Sequence, residues 1–417
     1  MATEFRTFSY GKQSLDAFCF YRGLFFSVEW LLKYRIFNNL FIFLPTFIFL
    51  SFTQGMEVDI LIVGQGVCGT FLSRELDQAG LSYLVMDDPR PFTASRIAAG
   101  IINPITGKRL VKTWIIDDLL PFALRAYQEA GTALGINCIE PIRLIDFFPH
   151  PDARITFLAR AAESPEHLQL PENEGACRDY FNYDFGYGLV GPCYLTDLTA
   201  LMASVRADLS ARGRLLEERF VQEELHLEGQ AGRETGYGVR YRDIRARRVI
   251  FCDGIEGFHR PWFNLLPFSP NKGEALIAHI PPLSPEAPPK TMFKRGISLI
   301  PLGNDHYWVG SSYEWSFKEE GPTAAFRSKT EGILRNWLKV PFTIVDHLAA
   351  IRPATLERRP FVGFHPVYPA LGILNGMGTK GCSLAPYFAR QLANHLTQGS
   401  PIHPEADVRR FTRILSR

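Results

Sequence analysis

A glycine-rich turn between an apolar strand and a helix constrains the fold of this chain more than any other feature. Residues 58–63 form a short, β-branched and almost wholly apolar run, which is typical of a strand buried on both faces. The turn Gly-Gln-Gly-Val-Cys-Gly follows at 64–69, and a helical stripe of apolar residues then continues to position 79. A second short strand is predicted at 84–86. This order and spacing indicate a β-α-β unit of the kind that binds dinucleotides.

Each glycine of the turn has a physical role in such a unit. Gly64 permits the tight turn, Gly66 lets a pyrophosphate approach the backbone, and Gly69 lets the helix and the strand pack closely. The helix begins with unpaired N–H groups, here those of Val67 and Cys68, and its positive end attracts the pyrophosphate. The turn therefore predicts a pyrophosphate site.

Two acidic residues close the second strand. Asp87 stands where a carboxylate accepts hydrogen bonds from the ribose hydroxyls of adenosine, and Asp88 is the alternative. The unit alone does not distinguish FAD from NAD. An NAD-dependent dehydrogenase would normally continue with further strand–helix units, whereas this chain leaves that pattern.

The remaining elements have the order of a split domain. Residues 248–251, followed by Gly254, predict a second buried strand of the nucleotide-binding domain far along the chain. Such a late return is expected when another domain is inserted into the first. The other predicted elements are helices at 116–134, 196–212, 322–338 and 384–396 and strands at 237–251, 273–280, 297–310 and from 371.

A second glycine-rich turn, between the last strand and the last helix, predicts another anion-binding helix end. Its N–H groups can stabilise the negative charge that builds on the pyrimidine end of a reduced flavin. A lysine in the turn would add a cation. The residues assigned to this site are Gly376, Gly378, Thr379, Lys380 and Gly381.

These pieces together resemble the D-amino-acid oxidase superfamily of FAD enzymes, which includes glycine oxidase and sarcosine oxidase. The resemblance lies in the turn at 64–69, the loop Ala-Ser-Arg-Ile-Ala-Ala-Gly-Ile at 94–101, the stretch 351–363 with its Ile-Arg-Pro turn, and the C-terminal glycine turn. It covers residues 57 to about 397. The oxidase domain of the bifunctional enzyme that modifies wobble uridine in tRNA is also similar.

The resemblance implies an α/β fold in which a Rossmann-like FAD-binding domain carries an inserted α+β substrate domain built on a mixed sheet. The flavin would lie between the 94–104 loop, with Ser95, Ala99 and Gly100, and the turn at 376–384. The family oxidises a C–N bond by passing a hydride from the carbon that bears the amine to flavin N5, and the imine is then hydrolysed. A small amino acid or secondary amine is thus the expected substrate, with oxygen or another compound as electron acceptor.

Arg352 is the predicted clamp for a substrate carboxylate. It ends an apolar, strand-like run and precedes Pro353, which ends strand pairing. A guanidinium at a strand end beside a flavin can hold a carboxylate by two parallel hydrogen bonds. The arginine of the family's Arg-Pro turn plays this part in its amino-acid oxidases. The alternative is a structural ion pair with Glu357 or a more distant acid.

Other residues of the pocket are less well defined. Tyr307 and Tyr313 are weaker candidates for contact with the substrate, and Lys272 and Lys294 for the choice of electron acceptor. Sarcosine oxidases attach FAD through a cysteine beyond the Arg-Pro region. Residues 353–370 contain no cysteine, and Cys382 lies in the closing turn, so we expect non-covalent FAD.

The predicted domain organisation alternates between the two domains. Its segments are a non-matching hydrophobic N-terminal stretch (1–55), three parts of the FAD-binding domain (56–140, 236–260 and 351–417), mixed FAD and substrate segments (141–235) and the substrate domain (261–350).

The first 55 residues differ in composition from the rest and hold 12 of the 33 phenylalanines. The favoured interpretation is a misassigned start, because Met56 lies just before the first strand. A membrane anchor at 36–52 is the second interpretation, although asparagines and a proline interrupt it. A cleaved signal peptide is the third and weakest. An anchored, non-catalytic flavoprotein thus remains an alternative function.

Charge and cysteine content narrow the remaining function classes. Of 45 basic and 43 acidic residues, five and three lie in the first 55, so the rest of the chain is neutral and lacks the charge pattern of a nucleic-acid-binding protein. Oxidation of a modified tRNA base is therefore the less favoured alternative. Seven scattered cysteines without a Cys-x-x-Cys pair argue against a disulfide scaffold or a zinc ribbon and favour the cytoplasm. No metal site is predicted.

Overall fold

The computed structural model describes residues 55–107, 109–228, 238–283 and 290–417. The segment 36–52, considered above as an anchor, lies outside the described residues. Within them, no helix has both the length and the apolar character needed to cross a membrane.

The described residues form two sheets and a short hairpin with covering helices. The strands in chain order are β1 (Met56–Val63), β2 (Tyr83–Met86), β3 (Ile101–Ile102), β4 (Ile105–Thr106), β5 (Val111–Lys112), β6 (Ile139–Phe147), β7 (Leu168–Gln169), β8 (Tyr187–Thr196), β9 (Leu215–Leu216), β10 (Leu225–Leu227), β11 (Val239–Tyr241), β12 (Ile244–Phe251), β13 (Asn271–His279), β14 (Thr291–Arg295), β15 (Ile297–Gly303), β16 (His306–Gly310), β17 (Thr343–Arg352), β18 (Phe361–Phe364) and β19 (Leu371–Asn375). The helices are α1 (Val67–Gln78), α2 (Ala94–Ile97), α3 (Ile116–Leu134), α4 (Pro151–Glu163), α5 (Leu198–Ala211), α6 (Ala324–Trp337), α7 (Gly381–Gln398) and α8 (Thr412–Leu415).

The first sheet has a parallel centre in the order β19-β12-β1-β2-β9. Strand β1 is apolar on both faces because each face packs against a separate core. Ile60 and Ile62 join a cluster with α1, α3, α5 and α7, whereas Leu61 and Val63 join a second cluster on the other side. This double burial explains why the strand reads as a continuous apolar run instead of an alternating one.

The second sheet is mixed and has the order β17-β13-β16-β15-β14-β6-β8-β3. Only β14 and β6 run parallel among its described neighbours. Some of its strands precede β9–β12 of the first sheet in the chain, and the others follow them. The chain therefore alternates between the two sheets. Strand β3 lies within 56–140, the segment assigned above to the FAD-binding domain, yet it pairs with β8 of this second sheet. The predicted fold class, with its mixed second sheet, is confirmed.

Local signals account for several element bounds. Helix α3 covers the predicted range, and Gly135 ends it in the left-handed conformation. Helix α5 begins at Leu198 because the Asp197 carboxylate accepts a hydrogen bond from the Ala200 N–H at 2.8 Å. The strand predicted at 297–310 is two strands, since the chain turns at Asn304 and Asp305 with positive φ angles.

The arginines clustered between 240 and 248 belong to the β11–β12 hairpin and are largely paired with acids. Arg240 and Arg245 contact Glu228 at 2.9 and 3.4 Å. Arg242 pairs with two further glutamates, and Arg247 lies 3.3 Å from Asp59. These ion pairs balance most of the positive charge of the hairpin.

Truncation tests the interpretation of the N-terminal segment. Strand β1 begins at Met56 and pairs with β12 from that residue onward. We therefore expect residues 56–417 to give a soluble protein that holds FAD, as judged by gel filtration and the visible flavin spectrum. An insoluble or flavin-free product, alongside a full chain that is well behaved in detergent, would contradict the misassigned start.

Candidate active site

A cavity of about 740 Å³ lies between the carboxyl ends of the first sheet's parallel strands and the second sheet. Such crevices are where open α/β sheets bind ligands. Segments distant in sequence meet around it. Its walls come from the turn at 64–68, the end of β2, the loop at 92–101, residues 252–260, and parts of β13, β16, β17 and the turn at 375–382.

The three fingerprint glycines make different demands on space. Gly64 has a φ of +99°, and a β-carbon there would lie 2.7 Å from the carbonyl oxygen of Cys252. A β-carbon at Gly69 would lie 1.9 Å from the carbonyl oxygen of Gly64. At Gly66 a β-carbon would meet only the Ser95 side chain, at 3.1 Å. Gly66 therefore leaves room that the described residues do not fill.

The N-terminus of α1 opens into this room. The Val67 N–H donates to Ser95 Oγ at 3.1 Å, and Gly66 offers no side-chain cap. The Ser95 hydroxyl keeps its own proton for donation. The first N–H groups of a helix have no acceptor within it and lie at the positive end of its dipole. This corner of the cavity is therefore suited to an anion.

Asp87 lines the cavity but is also tied to the protein. Its Oδ1 accepts the Gln65 N–H at 2.8 Å, and its Oδ2 accepts a hydrogen bond from Arg206 Nη1 at 2.7 Å. The Gln65 side chain in turn accepts from Arg206 and donates to the Met202 carbonyl. Each carboxylate oxygen can accept more than one hydrogen bond, so a ribose can still bind. Asp88 also lines the cavity and lies 3.4 Å from Arg90.

The second glycine turn lies on the opposite wall. Gly376 has a φ of +77°, and a β-carbon there would lie 2.8 Å from Thr355 Cγ2. Gly378, Thr379 and Gly381 line the cavity at the start of α7. Lys380 does not line it, and the predicted cation is thus absent from the described cavity wall. Burial and then two nearby arginines lower the pKa of its ammonium group.

Asp253 is a further buried acid at the end of β12. Its carboxylate accepts from Arg260 Nε at 2.8 Å. Burial raises the pKa of Asp253, and the Arg260 charge opposes that rise. The Asn375 amide donates to the Gly254 carbonyl at 2.8 Å and so joins the ends of β12 and β19.

Arg352 ends β17 at the cavity wall, and its hydrogen-bond partners in the described part of the chain are neutral. Its Nη1 donates to Asn271 Oδ1 at 2.7 Å and to the Ser312 carbonyl at 3.3 Å. Its Nη2 donates to Ser311 Oγ at 2.8 Å. No carboxylate of the described residues forms an ion pair with it, and Glu357 instead contacts Arg410 at 3.3 Å. Burial lowers the pKa of the Arg352 guanidinium.

Neither of the two aromatic candidates lines the cavity. Tyr307 is buried in the core of the second sheet and does not line the cavity. Tyr313 is also outside the cavity lining and is 47% exposed, with its ring centroid 5.8 Å from Arg352 Cζ. Trp308 lines the cavity instead, and its indole N–H donates to the Ile97 carbonyl at 3.0 Å. A tryptophan of the second sheet thus holds the 94–101 loop.

The two lysines considered for the electron acceptor both lie in ion pairs, and neither lysine lines the cavity, although Glu274 does. Lys272 is fully buried, with Nζ 3.2 Å from Glu274 Oε1. Glu274 also accepts two hydrogen bonds from Thr323 and lies 2.9 Å from the His347 ring. Lys294 pairs with Asp146 at 2.7 Å. Each lysine is thus paired with an acidic residue.

Most of the predicted site residues meet at one cavity. Those that line it are Gly64, Gly66, Val67, Cys68, Asp87, Asp88, Ser95, Ala99, Gly100, Gly254, Arg352, Gly378, Thr379 and Gly381. Gly69 and Gly376 lie behind the lining. Sequence reasoning missed Arg206, Asn271, Gly273 and Ser311, which no local motif marks.

The chain is similar to known proteins over most of its length. Residues 59–395 match the family described as FAD dependent oxidoreductase. Glycine oxidase of Pseudomonas aeruginosa is 24% identical over 366 residues, which cover 83% of this chain and 97% of that protein. The structure of glycine oxidase from Geobacillus kaustophilus has a TM-score of 0.67 at 17% identity, covering 83% of this chain and 96% of that one. L-proline dehydrogenase from P. horikoshii has a TM-score of 0.62 at 17% identity, covering 86% and 98%.

Proposed function

The chain belongs to the family of FAD-dependent oxidoreductases, and from this premise we propose that it oxidises the C–N bond of a small amino acid or carboxylate-bearing secondary amine. The observation that carries the choice of substrate is Arg352. It brings a positive charge, with no counterion among the described residues, to the wall of the cavity that the glycine turn also lines. The glycine oxidase and L-proline dehydrogenase that resemble the chain act, by their names, on amino acids.

The residues around the cavity fit FAD. The open space at Gly66, in front of the first N–H groups of α1, suits a pyrophosphate. Asp87 reaches the cavity at the end of β2, where a ribose would lie. The start of α7, with Gly378 and Thr379, offers N–H groups to the pyrimidine end of the flavin.

The side chains of this protein would bind and orient the substrate. When bound, FAD would supply the redox chemistry, in which the carbon that bears the amine loses a hydride and water hydrolyses the resulting imine. Arg352 would hold the carboxylate and so fix which carbon is presented. Trp308 would keep the 94–101 loop in place through the Ile97 carbonyl. Oxygen or another acceptor must then remove the electrons.

We propose non-covalent attachment of the cofactor. Residues 353–370 contain no cysteine. Cys68, Cys252 and Cys382 line the cavity, but burial raises the pKa of each thiol, that of Cys68 to about 12, so the nucleophilic thiolates are disfavoured. Acid precipitation should therefore release all flavin into the supernatant.

Anaerobic bleaching of the flavin tests the reaction. We expect the visible flavin band to bleach with one or more of glycine, D-amino acids, N-methyl amino acids and proline. The matched amines without a carboxylate, such as methylamine for glycine and pyrrolidine for proline, should leave it unchanged. A flavin that photoreduces and reoxidises normally but bleaches with none of the amino acids would contradict the proposed function.

A further inference from the structure

Arg352 lies in a pocket of neutral groups, which we call the Arg352 cradle: the Asn271 amide, the backbone of Gly273, the Ser311 hydroxyl and the Ser312 carbonyl. A guanidinium has five N–H groups. The two hydrogen bonds from Nη1 and the one from Nη2 use three of them. Nε–H and one N–H of Nη2 have no acceptor among the described residues, and a carboxylate can take two such N–H groups in parallel.

Gly273 gives the guanidinium its place. A β-carbon at Gly273 would lie 1.9 Å from Arg352 Nη2 and 2.2 Å from Cζ. The guanidinium therefore lies directly against the backbone of β13, where it donates to Ser311. The φ of Gly273 is not in the positive range, so an alanine would fit the backbone but not the space.

Asn271 sets the charge of the cradle. Its side chain is fully buried, its Oδ1 lies 2.7 Å from Arg352 Nη1, and its Nδ2 has no partner within the described ranges. An aspartate has nearly the same shape and would supply a counterion at this place. The amide instead holds the guanidinium by a hydrogen bond and leaves its charge unpaired.

We propose that Asn271 and Gly273 are positioning residues that fix Arg352 with its charge uncompensated and thereby make the site selective for substrates that bear a carboxylate. This inference rests on the proposed function, because it names the feature by which that site selects its substrate. The cradle acts only through Arg352. Asn271 and Gly273 themselves need not touch the substrate.

The test compares binding of an anion with binding of its neutral isostere. Propionate and propionamide are titrated into the FAD-loaded full-length protein, and the change in the visible flavin spectrum gives each Kd. Asn271→Asp should weaken propionate binding by at least about tenfold because it pairs the Arg352 charge, and should leave propionamide within about threefold. Gly273→Ala should weaken propionate similarly, because it displaces the guanidinium.

Matched controls separate these effects from general damage. Asn304→Asp makes the same change from amide to carboxylate in the exposed turn between β15 and β16. Gly332→Ala adds a methyl group to open space on α6. Both controls should bind propionate as the natural protein does. With an amino acid that the protein oxidises as substrate, Asn271→Asp should raise KM and leave kcat at saturation within about threefold.

Three outcomes are distinguishable because the titration requires no turnover. Equal propionate affinity in Asn271→Asp and the natural protein would overturn the inference and leave the proposed function standing. If Asn271→Asp loses propionate binding and the natural protein oxidises no amine, the result would support the role of the cradle and contradict the proposed function. A natural protein that binds propionate no better than propionamide would overturn the inference.

Discussion

Gly66→Val should remove FAD from this protein without unfolding it. Gly66 has a φ of −77° and a ψ of −166°, an extended conformation that does not require glycine. The added methyl groups would enter the space in front of α1 where the pyrophosphate belongs. We expect at least a hundredfold loss of FAD affinity, equivalent to about 2.8 kcal/mol. Titration of the apoprotein with FAD measures the loss, and circular dichroism checks the fold.

Two comparison variants give this result its meaning. Gly69→Ala should damage the fold itself, because its β-carbon would collide with the Gly64 carbonyl. Asp87→Ala should cost about 1.5–3 kcal/mol of FAD binding and also lower the Tm of the apoprotein, since Arg206 loses one of its two acidic partners. A Gly66→Val protein that purifies with normal FAD content would mean that the pyrophosphate does not bind at this turn.

Arg352→Met should lower kcat/KM for an amino-acid substrate by roughly 30-fold to several thousandfold, corresponding to about 2–5 kcal/mol. Arg352→Lys keeps the charge but cannot offer two parallel hydrogen bonds, so at least a tenfold loss is expected. FAD content should be unchanged in both variants.

Arg335→Lys, on the exposed face of α6, is the matched control and should behave like the natural protein. Steady-state kinetics with the substrate identified by bleaching provide the measurement. Normal turnover by Arg352→Lys would indicate a substrate without a carboxylate.

Local features of this molecule were predictable because neighbouring residues determine them. The turn at 64–69 specifies its own backbone path through Gly64 and Gly69, whose missing side chains the structure requires. The capped start of α5 and the glycine end of α3 are likewise short-range effects. A family resemblance supplied the rest of the fold class, including the mixed sheet.

The environment of Arg352 was not predictable from the sequence. Its partners Asn271 and Ser311 lie 81 and 41 positions away, and only the pairing of β13, β16 and β17 brings them together. Strand alternation explains why Tyr307 faces the core. Residues one position apart point to opposite faces of a sheet, and the sequence does not say which face meets the cavity. Trp308, its neighbour, takes that position.

The order in which the strands pair has a consequence for how the protein is made. The neighbour of β12, strand β19, and the start of α7 at the cavity wall are both made of residues 371–382, which are synthesised late. At about 5–20 residues per second, a ribosome needs roughly 15–60 seconds to reach them after completing the first glycine turn. The nascent chain cannot enclose a flavin in that interval. The cavity wall is therefore complete only once residue 382 has been synthesised, and a chain that ends before residue 371 lacks part of the wall that would hold a flavin.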